Sequence, residues 1–348
     1  MTTTLRRPPE RDLPPGRLAE RKQHLLEELS RATDVDAPSR VTTRRRRWRV
    51  AAAVGAAAVA LAIAVPVILP DGSPGGAGSA EAGRVLRRLA SVAGARSPQP
   101  GPEPGQFVYT KSRDRQQCVY VVGNGESNVM FAVRSGREAW IGPDGSGRLV
   151  TTHDTVTFAS DRDRQSWIDA GSPELLSDET GDERFEPGGL SFVDVSNLPR
   201  DRHELLALIE KRELVGGPEG DWETFVIVGD LLRETWAPPA VRAALYEVAA
   251  NLPEVEFIGT YEDELGRVGV AVAYPMPQGF RQEYAFDPET AELLGERHVM
   301  VDPEAMGLDI GPDTYPGTTY CGVGDPGDVV YSNVYLESGL VDSAAARP

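Results

Sequence analysis

The sequence predicts an α+β protein in which a single N-terminal transmembrane helix precedes an extracytoplasmic domain with a curved antiparallel sheet and clustered helices. Three observations predict this fold class. One uncharged run near the N-terminus is long enough to cross a bilayer. Strand-like segments rich in aromatic and β-branched residues occur on both sides of the middle of the chain, and the middle itself has helical periodicity.

Residues 1–47 are predicted to be a cytoplasmic tail, mostly disordered, with one short amphipathic helix in the segment LAERKQHLLEEL. The apolar side of this helix is formed by Leu18, Leu25, Leu26 and Leu29. Two interpretations stay open. The helix lies on anionic lipid beside the membrane, or it is a docking helix for a cytoplasmic partner.

The transmembrane helix is predicted over residues 48–69, because Val50–Leu69 carries no charge and a helix of about 20 residues spans the bilayer core. A buried helix of a globular core is one alternative, but such helices are rarely apolar on every side. A cleaved signal peptide is another, since residues 80–82 form an A-x-A pattern. The 49 residues ahead of the apolar run are far more than signal peptides carry, so an uncleaved anchor is favoured.

The charges beside the span predict its orientation. The arginines that precede it are Arg44, Arg45, Arg46, Arg47 and Arg49. Only one charged residue, an aspartate at position 71, lies close behind it. The positive-inside rule therefore predicts a single-pass protein of the cell membrane with a cytoplasmic N-terminus and an extracytoplasmic C-terminus. Because topology explains the arginine run, the lipid bilayer is an expected partner and nucleic acid is not.

The net charge of −17 is distributed unevenly. Residues 1–49 contain 13 basic and 7 acidic residues, which leaves 23 basic and 46 acidic residues in the remainder. An acidic outer domain stays soluble and repels anionic polymers.

The outer part begins with a flexible linker at residues 70–80, and residues 81–348 are predicted to form one α+β domain. A helix is predicted from about Ala80 to Val92. The segments QFVYT, CVYVV and VMFAV then predict strands, and EAWIGPDGSGRLVTT predicts two strands around a Pro-Asp-Gly turn.

Helices follow in the middle of the chain and strands return towards its end. The segments DRHELLALIEKREL, DWETFVIVGDLLRET and APPAVRAALYEVAANL predict helices, the last with prolines at its start. VEFIGTYED, RVGVAVAYP, RQEYAFD, ELLGERHVMVD and DVVYSNVYLES predict strands. Clustered helices between antiparallel strands are typical of α+β proteins.

Cys118 and Cys321 are the two cysteines of the chain, and both lie on the predicted outer side. A disulfide between them is predicted, because that compartment is oxidising. Two buried free thiols are the alternative.

Motifs for enzymatic chemistry are absent from the sequence: it has no G-x-S-x-G, H-E-x-x-H, P-loop, C-x-x-C or EF-hand pattern. His24, His153, His203 and His298 are too scattered in sequence for a metal cluster. We interpret His153 and Asp154 as a surface hydrogen-bonding pair rather than an acid/base pair. The protein is therefore predicted to be non-enzymatic, with no catalytic, cofactor-binding or metal-binding residues and no cofactor.

The tryptophans are the remaining candidates for a ligand groove. They are Trp140, Trp167, Trp222 and Trp236. Core packing is the favoured role for them, since large aromatic side chains dominate protein cores.

Several segments together resemble a known family. RDLPPGRLAERKQHLLEEL, the anchor, GQFVYTKS, SNLPRDRHELLALI, RAALYEVAANLPEVEFIGTYEDELGRVGVAVAY and EYAFDPETAELLGERHVM resemble, in that order, an uncharacterised family of actinobacterial single-pass membrane proteins. Members are often encoded beside extracytoplasmic-function sigma factors. The resemblance covers most of the chain and implies a sigma-linked regulatory or sensory role.

Three functions are consistent with these observations. The leading one is a non-enzymatic envelope protein whose outer domain binds an unknown ligand and whose short tail contacts a regulator. The second is a carrier of lipid or cell-wall ligands, and the third is an envelope hydrolase without a recognisable motif. An apolar pocket would favour the carrier, and converging carboxylates or histidines with room for a substrate would favour the enzyme.

Overall fold

The computed structural model describes residues 77–122, 128–175, 181–190, 195–211, 220–233, 236–307 and 317–348. They belong to one compact unit, Leu69–Pro348. Within these ranges, no helix has both the length and the apolar character that a membrane span requires. The predicted tail and the predicted transmembrane helix lie outside the described residues.

The described residues form an α+β fold, as the sequence predicts. The helices are α1 (Ala77–Gly94), α2 (Asp161–Asp169), α3 (Arg202–Glu210), α4 (Asp221–Arg233) and α5 (Pro239–Ala249). Short 3-10 helices cover Val195–Asn197 and Pro303–Met306. The predicted helix near Ala80 is confirmed and begins slightly earlier, at Ala77, so residues 77–80 of the predicted linker are helical instead.

The strands form one large antiparallel sheet in the order β4-β3-β2-β1-β10-β8-β7-β6-β5, with β9 paired to β1. Its first strands are β1 (Phe107–Tyr120), β2 (Val129–Ile141), β3 (Gly147–Phe158) and β4 (Gly181–Phe185). The others are β5 (Glu256–Glu262), β6 (Val268–Pro275), β7 (Phe280–Phe286), β8 (Leu293–Met300), β9 (Thr319–Cys321) and β10 (Val329–Val341). The last long strand thus returns to the centre and joins the two halves of the sheet.

Two strand predictions are wrong. VMFAV and the strand that begins with EAWI were predicted separately, but both lie in the single strand β2. The segments QFVYT and CVYVV were expected to be separate strands, but the structure joins QFVYT to most of CVYVV in β1. The polar run between them alternates, with Lys111, Arg113 and Arg115 on one face and Ser112 and Asp114 on the other. Because β1 pairs with both β2 and β10, ladder hydrogen bonds stabilise this polar stretch as a strand.

Helices α1, α3, α4 and α5 pack on one face of β5–β8, which we call the covered face. The main hydrophobic core lies between these helices and sheet residues that include Val272, Tyr274, Tyr284 and Phe286. Helix α5 contacts α1, α3 and α4. Burial of this apolar surface is the main stabilising contribution in this half of the protein.

Helix α4 approaches the sheet closely because it has a glycine where it crosses β7. A Cβ atom at Gly229 would collide with the ring of Tyr284. Tyr284 packs in turn against Phe225, with ring centroids 4.9 Å apart. A larger residue at position 229 would therefore separate α4 from the sheet.

The β1–β4 half of the sheet has smaller clusters. One contains Cys118, Val129, Phe131 and Val133, with Trp167 of α2 packed against it. Another forms on the opposite face, where Tyr109 and Trp140 contact the C-terminal tail. The indole of Trp140 donates a hydrogen bond to the carbonyl oxygen of Ala346 at 2.6 Å, which fixes the tail on the sheet.

Candidate functional site

A cleft of about 440 Å³ lies on the covered face where the helices meet the central strands; we call it the central cleft. It is lined by residues at and after the end of α1, the end of α4, the start of α5 and the residues just before it, the β5–β6 turn, and strands β1, β8 and β10. Its apolar lining includes Val108, Leu232, Trp236, Leu293, Leu294 and Leu336. The volume is in the range of about 300–1,000 Å³ that is typical of small-molecule sites.

The polar lining of the central cleft is rich in arginine. The charged residues that line it are Arg96, Arg233, Arg242, Arg267, Glu292 and Glu337. Arg96 and Glu292 form an ion pair of 2.8 Å at the rim, where Glu292 is exposed. Arg267 is held by Asp263 at 2.6 Å. Cations thus outnumber carboxylates in the lining, although the whole chain has 53 acidic and 36 basic residues.

Arg242 differs from the other arginines of the central cleft. It lies in the first turn of α5 and is half-buried. Its guanidinium donates hydrogen bonds to the carbonyl oxygens of Leu232 at 3.4 Å and Ala291 at 3.0 Å. With the residues that the structure describes, Arg242 forms no ion pair. The guanidinium also contacts the buried hydroxyl of Tyr246, so its described hydrogen-bond partners are uncharged.

A buried polar network forms one end of the central cleft. Glu296 is 2% exposed and accepts hydrogen bonds from Arg233 at 2.9 Å, Tyr335 at 3.0 Å and Gln282 at 3.2 Å. Burial, followed by the charge of Glu296, raises the pKa of Tyr335 well above its usual value. Tyr335 therefore stays protonated and acts as a donor to Glu296.

Next to this network, His298 is held between two aromatic rings. Its ring stacks on Phe280 with centroids 4.4 Å apart and lies 5.0 Å from the ring of Tyr331. Burial, with a smaller effect of the Arg233 charge, lowers the pKa of His298 to about 4. The imidazole is therefore neutral near neutral pH and packs between the two rings.

A serine, a histidine and an aspartate share one cross-strand row of β1, β2 and β3. Ser135 pairs with Asp114 on one side and with His153 on the other, and its Oγ lies 3.0 Å from His153 Nδ1. Burial raises the pKa of Asp114 above its usual value. These three residues do not line the central cleft or the smaller cavity of about 250 Å³ beside Arg115 and Arg134. The row is a hydrogen-bonded polar strip of the sheet, and the side chain of Asp154 lies outside the described residues.

The other histidines do not converge. His203 is exposed on α3, where its Nε2 accepts a hydrogen bond from Arg202 at 3.2 Å. Among the described residues, no group of three or more histidine, cysteine, aspartate or glutamate side chains could hold a metal ion. His24 lies outside the described residues.

The tryptophans divide between core and cleft. Trp140 is 1% exposed, Trp167 packs 5.3 Å from the ring of Phe158, and Trp222 packs against the main core. Trp236 alone of these four lines the central cleft, where its indole donates to the carbonyl oxygen of Pro100 at 2.9 Å. The expected core packing is thus confirmed for three of the four tryptophans.

The predicted disulfide is confirmed. Cys118 on β1 and Cys321 on β9 are direct partners in the strand register and are bonded to each other. The bond links parts of the chain that are 203 residues apart. The predicted topology arginines and the docking leucines of the tail lie outside the described residues and stay predictions.

The central cleft was not predicted from the sequence. Its arginines come from the segment after α1, from α4 and α5, and from the β5–β6 turn, and their sequence neighbours give no common motif. One local signal exists, because Arg242 is the only charged residue between Trp236 and Glu247.

Comparisons with known proteins give no family assignment. No family model matches the chain, and no curated protein matches it. Among solved structures, the MucA/MucB complex of Pseudomonas aeruginosa aligns at 11% identity over 77% of this chain and 58% of that chain, with a TM-score of 0.23. A crystal structure of MucB aligns at 12% identity over 78% of this chain and 62% of that chain, also with a TM-score of 0.23.

The chain thus spans about three fifths of the solved chains that it matches. A TM-score of 0.23 does not establish a shared fold. The function of this protein is therefore inferred from its own residues.

Proposed function

We propose that this protein is a non-enzymatic, membrane-anchored envelope protein that binds a ligand in the central cleft and contacts a cytoplasmic regulator, such as a sigma factor, through its N-terminal tail. The central cleft is the observation that carries the proposal. It is large enough for a small molecule, and it combines apolar walls with a few charged groups, which is typical of binding sites.

Two further observations support an envelope location. The Cys118–Cys321 bond is typical of proteins in oxidising compartments. The uncharged run Val50–Leu69, with arginines on its N-terminal side only, predicts a membrane anchor whose C-terminal side is outside. A sensor of this design has its ligand site and its regulator contact on opposite sides of the membrane.

The first experiment fills the central cleft. Ser338 lines it and is exposed, so Ser338→Trp should occupy the cleft without disturbing the core. Ser91→Trp on the exposed side of α1 is the matched control. Transcription that depends on a sigma factor encoded beside this protein is measured in cells with each full-length variant. A change with Ser338→Trp alone supports the proposal, and equal transcription in both variants and the wild type contradicts it.

The second experiment tests the tail. Capture of the sigma factor from native membranes should be lost in the double variant Leu25→Ser with Leu29→Ser, because the apolar side of the helix would carry the contact. Glu27→Gln on the polar side should leave capture nearly unchanged. If the wild-type chain captures no sigma factor, or if deletion of residues 1–40 leaves sigma-dependent transcription unchanged, the regulatory function is wrong.

The carrier function is the second candidate, because the central cleft has an apolar wall that includes Leu232, Leu293 and Leu336. The protein's own helices, however, cover this face of β5–β8. A carried molecule would therefore have to bind in the central cleft. Transfer of a labelled lipid between vesicles would distinguish a carrier from a sensor, since a sensor needs to bind its ligand without moving it.

A further inference from the structure

The charges of the central cleft indicate which class of ligand it accepts. This inference rests on the proposed function, in that it takes the cleft as a binding site. The lining has four arginines and two glutamates, in a chain where acidic residues predominate. Asp263 and Glu296, which lie outside the lining, bind two of these arginines, so the cleft as a whole has no excess of positive charge and the contacts of each arginine decide its preference.

Three of the four arginines already have carboxylate partners. Arg96 is paired with Glu292, Arg267 with Asp263, and Arg233 with the buried Glu296. These contacts position the three guanidinium groups and neutralise much of their charge. Arg242 is the remaining arginine of the cleft, and it forms no ion pair with a carboxylate among the described residues.

Arg242 has donor capacity that its present contacts do not use. A guanidinium is planar and carries several N–H donors, which can bind a carboxylate or phosphate through two parallel hydrogen bonds. Its partners, the carbonyl oxygens of Leu232 and Ala291 and the hydroxyl of Tyr246, are neutral. A half-buried cation without an anionic partner is unfavourable, and an oxyanion in the cleft would compensate it.

The apolar wall adds a second requirement. Leu232 lies in the last turn of α4, Trp236 lies between α4 and α5, and Arg242 lies at the start of α5; all three line the same cleft. An oxyanion held by Arg242 would therefore have apolar surface beside it. A free inorganic anion would leave that surface unused, whereas a ligand with an attached hydrocarbon group would cover it.

We propose that the central cleft binds an anionic amphiphile, with a carboxylate or phosphate group on Arg242 and a short hydrocarbon group against Leu232 and Trp236. The same chemistry is present in a soluble alkyl phosphate and in the head region of an anionic lipid. Arg242 is the residue that gives the site its preference for anions over neutral analogues.

The test compares three probes with matched hydrocarbon groups: octyl phosphate, octanoate and octanol. Binding to the full-length chain in neutral detergent is measured by calorimetry. The wild type should bind octyl phosphate and octanoate roughly tenfold or more tightly than octanol, because charge-assisted hydrogen bonds to Arg242 form only with the anions. Equal affinity for all three probes overturns the proposal, and this comparison needs no variant.

Variants assign the effect to Arg242. Arg242→Met should remove the difference between octyl phosphate and octanol, whereas Arg88→Met, on the exposed side of α1, should keep it. A lasting preference for the anions in folded Arg242→Met contradicts the assignment. Inorganic phosphate is a further control, because it has no hydrocarbon group. If it binds as tightly as octyl phosphate, the apolar wall does not contribute to binding and the proposal is overturned.

Vesicles distinguish the source of the ligand. Binding to vesicles of phosphatidylcholine with phosphatidylglycerol, but not to phosphatidylcholine alone, supports a lipid source if Ser338→Trp abolishes it. Binding of octyl phosphate without vesicle binding supports a soluble ligand.

The same variant separates the failure of this proposal from the failure of the proposed function. If octanol binds as tightly as the anions and Ser338→Trp prevents its binding, the cleft is a binding site and only the ligand class is wrong. If Ser338→Trp changes neither binding nor transcription, the proposed function itself fails.

Discussion

The two halves of the sheet are stabilised in different ways. Strands β5–β8 pack against four helices in one extended hydrophobic core. Strands β1–β4 have small clusters, one helix, a disulfide and the C-terminal tail. The difference shows that non-directional burial predominates in one half, whereas specific covalent and polar contacts matter more in the other. The central cleft lies at the boundary between the two halves, beside β1, β8 and β10.

The largest expected effects come from a matched pair of core substitutions. Phe225 and Phe131 are each 1% exposed. Phe225→Ala should lower the free energy of unfolding by about 4 kcal/mol and Phe131→Ala by about 3 kcal/mol. Phe225 is enclosed by the rings of Tyr274 and Tyr284, while the smaller cluster around Phe131 can collapse more readily. Urea unfolding of the full chain in detergent measures both, and a larger loss from Phe131→Ala would contradict the comparison.

The disulfide should matter in the β1–β4 half. Replacing Cys118 and Cys321 with alanine should lower the free energy of unfolding by about 3 kcal/mol, because the unfolded chain gains conformational freedom. Hydrogen exchange should become faster in β1 and β2 before it changes in β6 and β7. A reductant should have no further effect on the double variant. Equal acceleration across the whole sheet would show that the two halves are not stabilised separately.

His298, on β8 at the junction of the halves, should make stability depend on pH. Its pKa is about 4 in the folded protein and about 6.5 when unfolded. As the pH falls from 7 to 5, the unfolded chain therefore binds a proton that the folded chain does not, and stability should fall by about 2 kcal/mol. His298→Leu should remove this contribution. An unchanged pH dependence in that variant would show that other groups cause it.

The smallest expected effect concerns the polar strip of β1–β3. Ser135→Ala should cost about 1 kcal/mol, the usual net value of one hydrogen bond, here the one to His153. Ser91→Ala on the exposed side of α1 should have no measurable effect. A loss as large as that of Phe131→Ala would mean that the polar strip, rather than the apolar cluster, stabilises this half.

Local patterns in the sequence were sufficient for most elements. The 3.6-residue spacing of Val241, Leu245 and Val248 predicts α5, and these residues are buried as that spacing requires. The Pro-Asp-Gly turn correctly separates β2 from β3. Helix α2 and the short strands β4 and β9 were not predicted, because their sequences are polar or brief and depend on neighbours for their conformation.

The sequence by itself determined the α+β class, the central helices, most of the hairpins and the pairing of Cys118 with Cys321. These features depend on side-chain periodicity, turn residues and a count of cysteines, which are all local or compositional. Only the tertiary structure decided that β10 inserts between β1 and β8 and that Arg242 lies beside Leu293 in one cleft. Those contacts join segments far apart in the chain, and side-chain packing between them has no periodic signature in the sequence.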